Sequence, residues 1–284
     1  MTYTVTSTLS TVLDRLSQNV GDYLSETVTT AIAANTSLVC TTLVNYTNRD
    51  RNYERHWAYI VDKANAGVYR KVSTSLGTGT IILMGANLAS DSANLATFQL
   101  HKIDRNLKIR AINMAARECF PYLFKFIRDT SLTGDSDLSE YTLPDSLQSP
   151  LSYVGNVYSQ SSGGLTDDVH DCNWSPVYNY RTQQDGSTRK LVSSSVTDNQ
   201  RILIEGASPL EDTLSTASDT ITLVDPLLAT FIEYASYRLM MLYSSLPTGE
   251  DRGNILESAS EHMAKYKTMP KMTTPQTKQR LTGA

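Results

Sequence analysis

The stretch from Arg201 to Leu246 does most to constrain what this chain can fold into. It reads Arg-Ile-Leu-Ile-Glu, a glycine, Pro209-Leu210, then Thr-Ile-Thr-Leu-Val and Asp225-Pro226, after which a helical pattern begins. Short β-branched and aliphatic runs separated by turn residues predict strands. Asp225 is a natural N-cap and Pro226 suits a first helical turn. A helix over 226–246 follows, with Leu228, Phe231, Ile232, Ala235, Leu239 and Leu242 as its buried stripe and Pro247 as its stop. The segment has no His, no Cys and no glycine cradle. It organises the chain without converging chemistry, as a part of an assembly does.

The rest of the chain extends this pattern. Leu9, Val12, Leu13, Leu16, Val20 and Tyr23 form a helical stripe within residues 7–24. Residues 27–98 are rich in Thr, Val, Ile and Gly, and strand-like patches at 38–43, 57–61, 68–72 and 80–84 are punctuated by glycine turns. From Ile103 an apolar stripe runs through Ala111, Ile112, Ala115, Cys119, Leu123 and Ile127, predicting a basic helix with a kink or break near Pro121. The following acidic stretch reads as turns and short strands, including 174–180, 189–192, 201–205 and 220–224, with Gln184-Asp185-Gly186 as a hairpin turn. Ser159–Gly164 reads as a flexible loop. A last helix spans about 250–266, and the Pro-, Thr- and Lys-rich residues after it form an extended arm.

The expected fold class is therefore α+β: a bundle of sequence-distant helices carrying two antiparallel β inserts, with an extended C-terminal arm. The divisions are 1–26 for the first helix, 27–100 for the first β insert and 101–130 for the basic helix. The second β insert covers 131–224, the C-terminal helices 225–267 and the basic arm 268–284.

Charge is segregated along the chain. Residues 102–128 hold seven basic residues against two acidic ones, 129–180 hold eight acids and no Lys or Arg, and 265–284 hold five basic residues and no acid. Such separation favours docking between oppositely charged surfaces, or contact with a polyanion. The basic helix carries no base-reading pattern, and the acidic remainder disfavours a general DNA-binding role. Sixteen Tyr against five Phe and two Trp suit half-buried sheets and polar interfaces.

Catalytic and metal signatures are not evident. Cys40, Cys119 and Cys172 are dispersed and include no CxxC pair, which predicts reduced thiols. His170-Asp171-Cys172 is the one cluster of ligand types and lacks two further partners. Asp135-Ser136-Asp137 begins like a calcium loop without its downstream Gly and Glu. No P-loop, GxGxxG or GxSxG motif occurs. The expectation is a non-enzyme without cofactor or metal, with no leader and no membrane span, made in a cytoplasm.

Ile112-Asn113-Met114-Ala115-Ala116-Arg117 leading into Phe120-Pro121 carries a resemblance. It continues through Tyr141-Thr142-Leu143-Pro144, Trp174, Ile202-Leu203-Ile204-Glu205-Gly206, Pro209-Leu210, Asp225-Pro226 and Tyr234-Ala235-Ser236-Tyr237-Arg238-Leu239. Over roughly residues 100–245 the chain resembles the head-to-tail adaptor (neck or connector) proteins of tailed bacteriophages. The resemblance implies a homo-oligomeric ring in the virion neck, made in the host cytoplasm and docked beneath the portal protein. The ring joins the next neck or tail protein and leaves a channel through which genomic DNA passes without sequence-specific binding. It also implies that Lys265, Lys267, Lys271, Lys278 and Arg280 form a portal-binding arm, and that Arg105, Lys108, Arg110 and Arg117 lie on an inter-subunit helix. The alternatives are a tail terminator or stopper ring, or a carbohydrate-binding or carbohydrate-acting tail accessory with Trp57, Trp174 and several Tyr on an exposed platform.

Overall fold

Thr8 accepts the Thr11 amide in its side chain and so starts the first helix, α1 (Leu9–Asn19), whose Leu9, Val12, Leu13 and Leu16 are buried. In the computed structural model, residues 6–33, 35–46, 49–91, 95–135, 137–162, 172–196, 198–211, 213–223, 226–246 and 252–272 are described. Among them are fifteen strands in four sheets and only four α-helices. The expected helical bundle with two β inserts is therefore corrected: the molecule is mostly β. Helical stripes stand out in sequence, whereas these strands are three to ten residues long and several find their partners far along the chain.

Helix α1 packs with α2 (Arg105–Glu118), α3 (Leu227–Ser244) and α4 (Arg252–Thr268) around one core containing Ile112, Ala115, Phe231, Ala235, Leu239 and Ala259. The strand β1 (Thr6–Thr8) brings α1 into that layer by pairing with β15 (Thr220–Thr222), just before α3. The proposed cap of α3, Asp225, and its stop, Pro247, lie outside the described residues, as does most of the expected arm.

The first β region is one six-stranded sheet. Its strands are β2 (Leu24–Thr27), β3 (Ser37–Val39), β4 (Trp57–Ile60), β5 (Tyr69–Leu76), β6 (Thr80–Leu83) and β7 (Thr97–His101), in the spatial order β2-β7-β4-β5-β6-β3. The sheet curls until its two edges approach. Just past β2, Thr29 donates its amide to the Val39 carbonyl on β3 at 2.8 Å, and the Thr41 amide donates to Thr29 Oγ1 at 3.1 Å. Leu38, Ile60, Val72, Ile81 and Phe98 fill the concave side. Their neighbours along each strand point outwards, as the two-residue period of a strand requires.

The second β region has two sheets sharing a core of Leu143, Leu147, Val157, Leu191, Ile202 and Ile204. One contains β8 (Lys125–Thr133), β10 (Tyr153–Ser162), β11 (Asn173–Pro176) and β14 (Arg201–Ser208), in the order β11-β10-β14-β8. The other contains β9 (Glu140–Thr142), β12 (Tyr180–Asp185) and β13 (Thr188–Ser193), in the order β12-β13-β9. Two local expectations change here. The basic helix ends at Glu118, and Lys125, Ile127 and Arg128 belong to β8, because β14 supplies a strand partner. Ser159–Ser162 extends β10 instead of forming a loop, while Gly163 and Gly164 lie outside the described residues.

Gly79 shows how tightly the curl is drawn. Its φ is +84° and a Cβ would sit 2.2 Å from the Cys40 carbonyl oxygen, while its own carbonyl accepts the Cys40 amide at 2.9 Å. Gly79→Ala is expected to destabilise the chain by about 2 kcal/mol or more, measured by urea unfolding; Gly186→Ala, where a Cβ meets open space, is expected to cost about 1 kcal/mol.

Candidate functional site

The densest chemistry in the described residues lies where the curled sheet meets the helical layer. After α1, Gly21 takes a φ of +67° and turns the chain so that Asp22 folds back, its amide donating to the Ser17 carbonyl at 2.8 Å. The Asp22 carboxylate then accepts the backbone amides of Lys102 at 2.5 Å and Ile103 at 3.0 Å, tying down the turn from β7 into α2. One helical turn later, Lys108 places its ammonium 2.8 Å from Asp22 Oδ2. Lys108 is 1 % exposed and Asp22 6 %.

Ser17 Oγ accepts from Lys108 at 2.8 Å, and His101 Nδ1 lies 3.0 Å from the same ammonium. An ammonium only donates, so Nδ1 accepts and the ring proton resides on Nε2, which faces Gln99 Oε1 at 3.2 Å. The Asp22 carbonyl also lies 3.0 Å from Nδ1, but an accepting nitrogen has no proton to offer it. Gln99 in turn donates to Asp14 Oδ1 at 3.2 Å and approaches the Tyr23 hydroxyl at 3.4 Å. All three ammonium protons of Lys108 are thus used, by Asp22, Ser17 and His101.

A second set of contacts surrounds this chain. Tyr69 Oη donates to Asp104 Oδ1 at 3.0 Å and accepts the Arg105 amide at 2.6 Å. The Arg105 guanidinium sits 4.4 Å over the Tyr59 ring, and Trp57 stacks on Tyr69 with centroids 5.0 Å apart. These aromatic groups occupy the sheet face opposite the apolar core, so the sheet uses one face for its interior and part of the other for the helices.

Electrostatics follow from burial. Desolvation, then the Lys108 charge, bring the His101 pKa down to about 4, so the ring is neutral near pH 7. Burial also pulls the Lys108 ammonium pKa down, opposed by Asp22. Asp14 is raised by its burial, with Gln99, Arg105 and Lys108 acting the other way. The polar side-chain atoms of Asp22, Lys108 and His101 meet partners inside the protein. The arrangement joins the curled sheet to the helical layer. Two clefts, about 370 Å³ and 400 Å³ in volume, reach the junction at Gly21, Asp22 and Lys102.

The basic residues expected on an inter-subunit helix are not one surface. Lys108 is interior and Arg105 is engaged by Tyr59, whereas Arg110 and Arg117 are exposed. Of the arm residues, Lys265 and Lys267 are exposed in the last turn of α4, where cations suit the helix carbonyl end. Lys271 folds back, donating to the Tyr266 and Lys267 carbonyls at 3.0 Å each and lying 4.8 Å over the Tyr266 ring. Lys278 and Arg280 lie outside the described residues, as do His170, Asp171 and Ser136. Among the described residues no group of three or more His, Cys, Asp or Glu is placed to hold a metal ion, and no helix is long and apolar enough to cross a membrane. Sequence reasoning missed Asp22, Ser17, Gln99 and His101. The available signal was Lys108, a lone cation in register with Ala111, Ile112 and Ala115 on the apolar face of α2.

Comparison with known proteins returns no matching family model and no matching curated protein.

Two measurements test the junction. Asp22→Asn leaves the Lys108 charge buried without its counter-ion and is expected to cost about 3–5 kcal/mol in urea unfolding; combined with Lys108→Met, the total should fall well short of the sum of the single losses. His101 has a folded pKa below its unfolded value, so its contribution is complete above about pH 6.5 and is lost as the pH falls towards 4. By pH 5 this amounts to about 2 kcal/mol, and His101→Gln should remove that part of the acid sensitivity.

Proposed function

We propose that the chain is a structural virion protein: a ring-forming head-to-tail adaptor that docks under the portal of a tailed bacteriophage. It connects the portal to the next neck or tail ring and leaves a channel for DNA. The motifs between residues 100 and 245 that resemble such adaptors support the reading, and so does the segregation of charge along the chain. The observation that carries it is the buried junction, in which the side chains of Asp22, Lys108 and His101 bond to one another and weld a helical layer to a curled sheet. A part that transmits contacts between rings needs rigid bodies held in a set orientation.

The path of the chain after α4 supports the arm. Thr230 Oγ1 donates to the Pro270 carbonyl at 3.0 Å and the Met272 amide donates to the Tyr122 carbonyl at 2.8 Å. Chain beyond Met272 therefore starts from a defined point on the helical layer, with Lys278 and Arg280 still to come. A terminator or stopper ring differs in its neighbour and shares these features. The carbohydrate reading loses ground, because Trp57 has one ring face on Tyr69 and Tyr59 lies under Arg105.

Antibody raised against the purified chain, gold-labelled and imaged on intact particles, should mark the head–tail junction. Label on the capsid shell or at the distal tail tip overturns the adaptor, and label at the head-proximal end of an isolated tail favours the terminator.

A further inference from the structure

Strand β12 ends its sheet, and among the described residues it pairs with β13 alone. Arg181, Thr182, Gln183, Gln184 and Asp185 are all exposed, so this edge strand is open to solvent on both faces. Its root is held: Tyr180 Oη donates to the Gly155 carbonyl at 2.7 Å and Ser193 Oγ to the Asn179 carbonyl at 3.1 Å. The edge is regular, without Pro or a bulge, and its two charged side chains, Arg181 and Asp185, are of opposite sign.

The hairpin fixes which backbone groups this edge offers. Asp185 pairs with Thr188 across Gly186-Ser187, and Gly186 has a φ of +60°. This is a two-residue loop, with glycine at its first position, whose closing pair exchanges both backbone hydrogen bonds. Alternation then directs the N–H and C=O groups of Arg181, Gln183 and Asp185 to β13 and those of Thr182 and Gln184 outwards.

Read against itself in reverse, Arg-Thr-Gln-Gln-Asp sets Arg181 opposite Asp185, Thr182 opposite Gln184 and Gln183 opposite Gln183. That register joins the two outward-facing residues of one copy to those of the other. It leaves the charged pair at the closer, non-hydrogen-bonded positions, where side chains interact most strongly. Signs alternate in the same direction within one copy. Glu140 lies 3.0 Å from Lys190 and Lys190 2.6 Å from Asp185, so the row ends at the free edge on a carboxylate. An arginine from a second copy is the next member of the row.

We propose that β12 is a self-association edge, pairing antiparallel with β12 of a second copy about a two-fold axis through Gln183 and merging two three-stranded sheets into one of six. The contact is isologous and closes at two chains. It is therefore separate from the heterologous contact that a ring requires, and does not depend on the adaptor reading.

Sedimentation equilibrium of the full chain at micromolar concentration tests it. The wild type should dimerise, and Arg181→Asp or Asp185→Arg alone should weaken self-association at least about tenfold, because two attractive pairs become repulsive. Mixing the two variants in equal amounts should restore the dimer, since each then meets the opposite sign. Gln184→Pro removes only an outward N–H and should also weaken it, with far-UV circular dichroism reporting the intact fold. A monomeric wild type, or a dimer indifferent to all three substitutions, overturns the proposal. A larger assembly indifferent to them overturns it too, while leaving the ring reading in place.

Discussion

Lys108 and Asp22 meet in the interior at the point where the chain passes from the curled sheet into the helical layer, and the relative placement of those two bodies depends on that contact. Taking two ions out of water costs several kcal/mol for each. The cost is offset because neither ion relies on the other alone. Asp22 accepts two backbone amides of the β7–α2 turn, and Lys108 also donates to Ser17 and His101. A hydrophobic contact of similar area tolerates sliding, because it has no direction. A saturated ion pair tolerates almost none, since a small shift leaves a buried charge unsatisfied.

This junction also explains how one sheet serves two neighbours. The curl gives the sheet a concave interior filled by Leu38, Ile60, Val72 and Phe98. Its opposite face would be solvated in an isolated half-barrel, and Trp57, Tyr59, Tyr69, Gln99 and His101 supply it with groups that both pack and hydrogen-bond. The abundance of Tyr in the sequence finds part of its use here. On the far side of the helical layer, Tyr234 donates to Glu118 at 3.0 Å and Arg238 pairs with the same carboxylate at 2.9 Å. His262 pairs with Glu233 at 2.7 Å, joining α4 to α3. Polar ties between elements recur because the faces that meet are amphipathic.

The helices were legible because each carries an apolar stripe at helical spacing, as Leu9, Val12, Leu13 and Leu16 do in α1 and Leu228, Phe231, Ala235 and Leu239 in α3. The extension of α2 was misread for a specific reason. Cys119, Leu123 and Ile127 happen to continue the four-residue spacing, but Cys119 caps the helix and Ile127 faces Gly206 on β14. Nothing local distinguishes the two outcomes, since the strand partner lies some eighty residues away. Strands β2 and β7 were missed similarly, because Ser25, Glu26, Gln99 and His101 interrupt their apolar pattern with residues that serve the polar junction.

By itself the sequence determined where helices occur, though not where α2 ends, together with the hairpin at Asp185-Gly186 and the uneven distribution of charge, all properties of neighbours within a few residues. Tertiary structure alone decided that the chain is mostly β, that the first sheet curls until Thr29 reaches Val39, and that Lys108 is interior. It also decided which basic residues are interior and which are exposed. The physical reason is the range over which each is specified. Helix and turn signals are written in dihedral preferences and side-chain spacing, whereas sheet pairing and the burial of a charge depend on partners such as Asp22 and Lys108, which only the folded chain brings together.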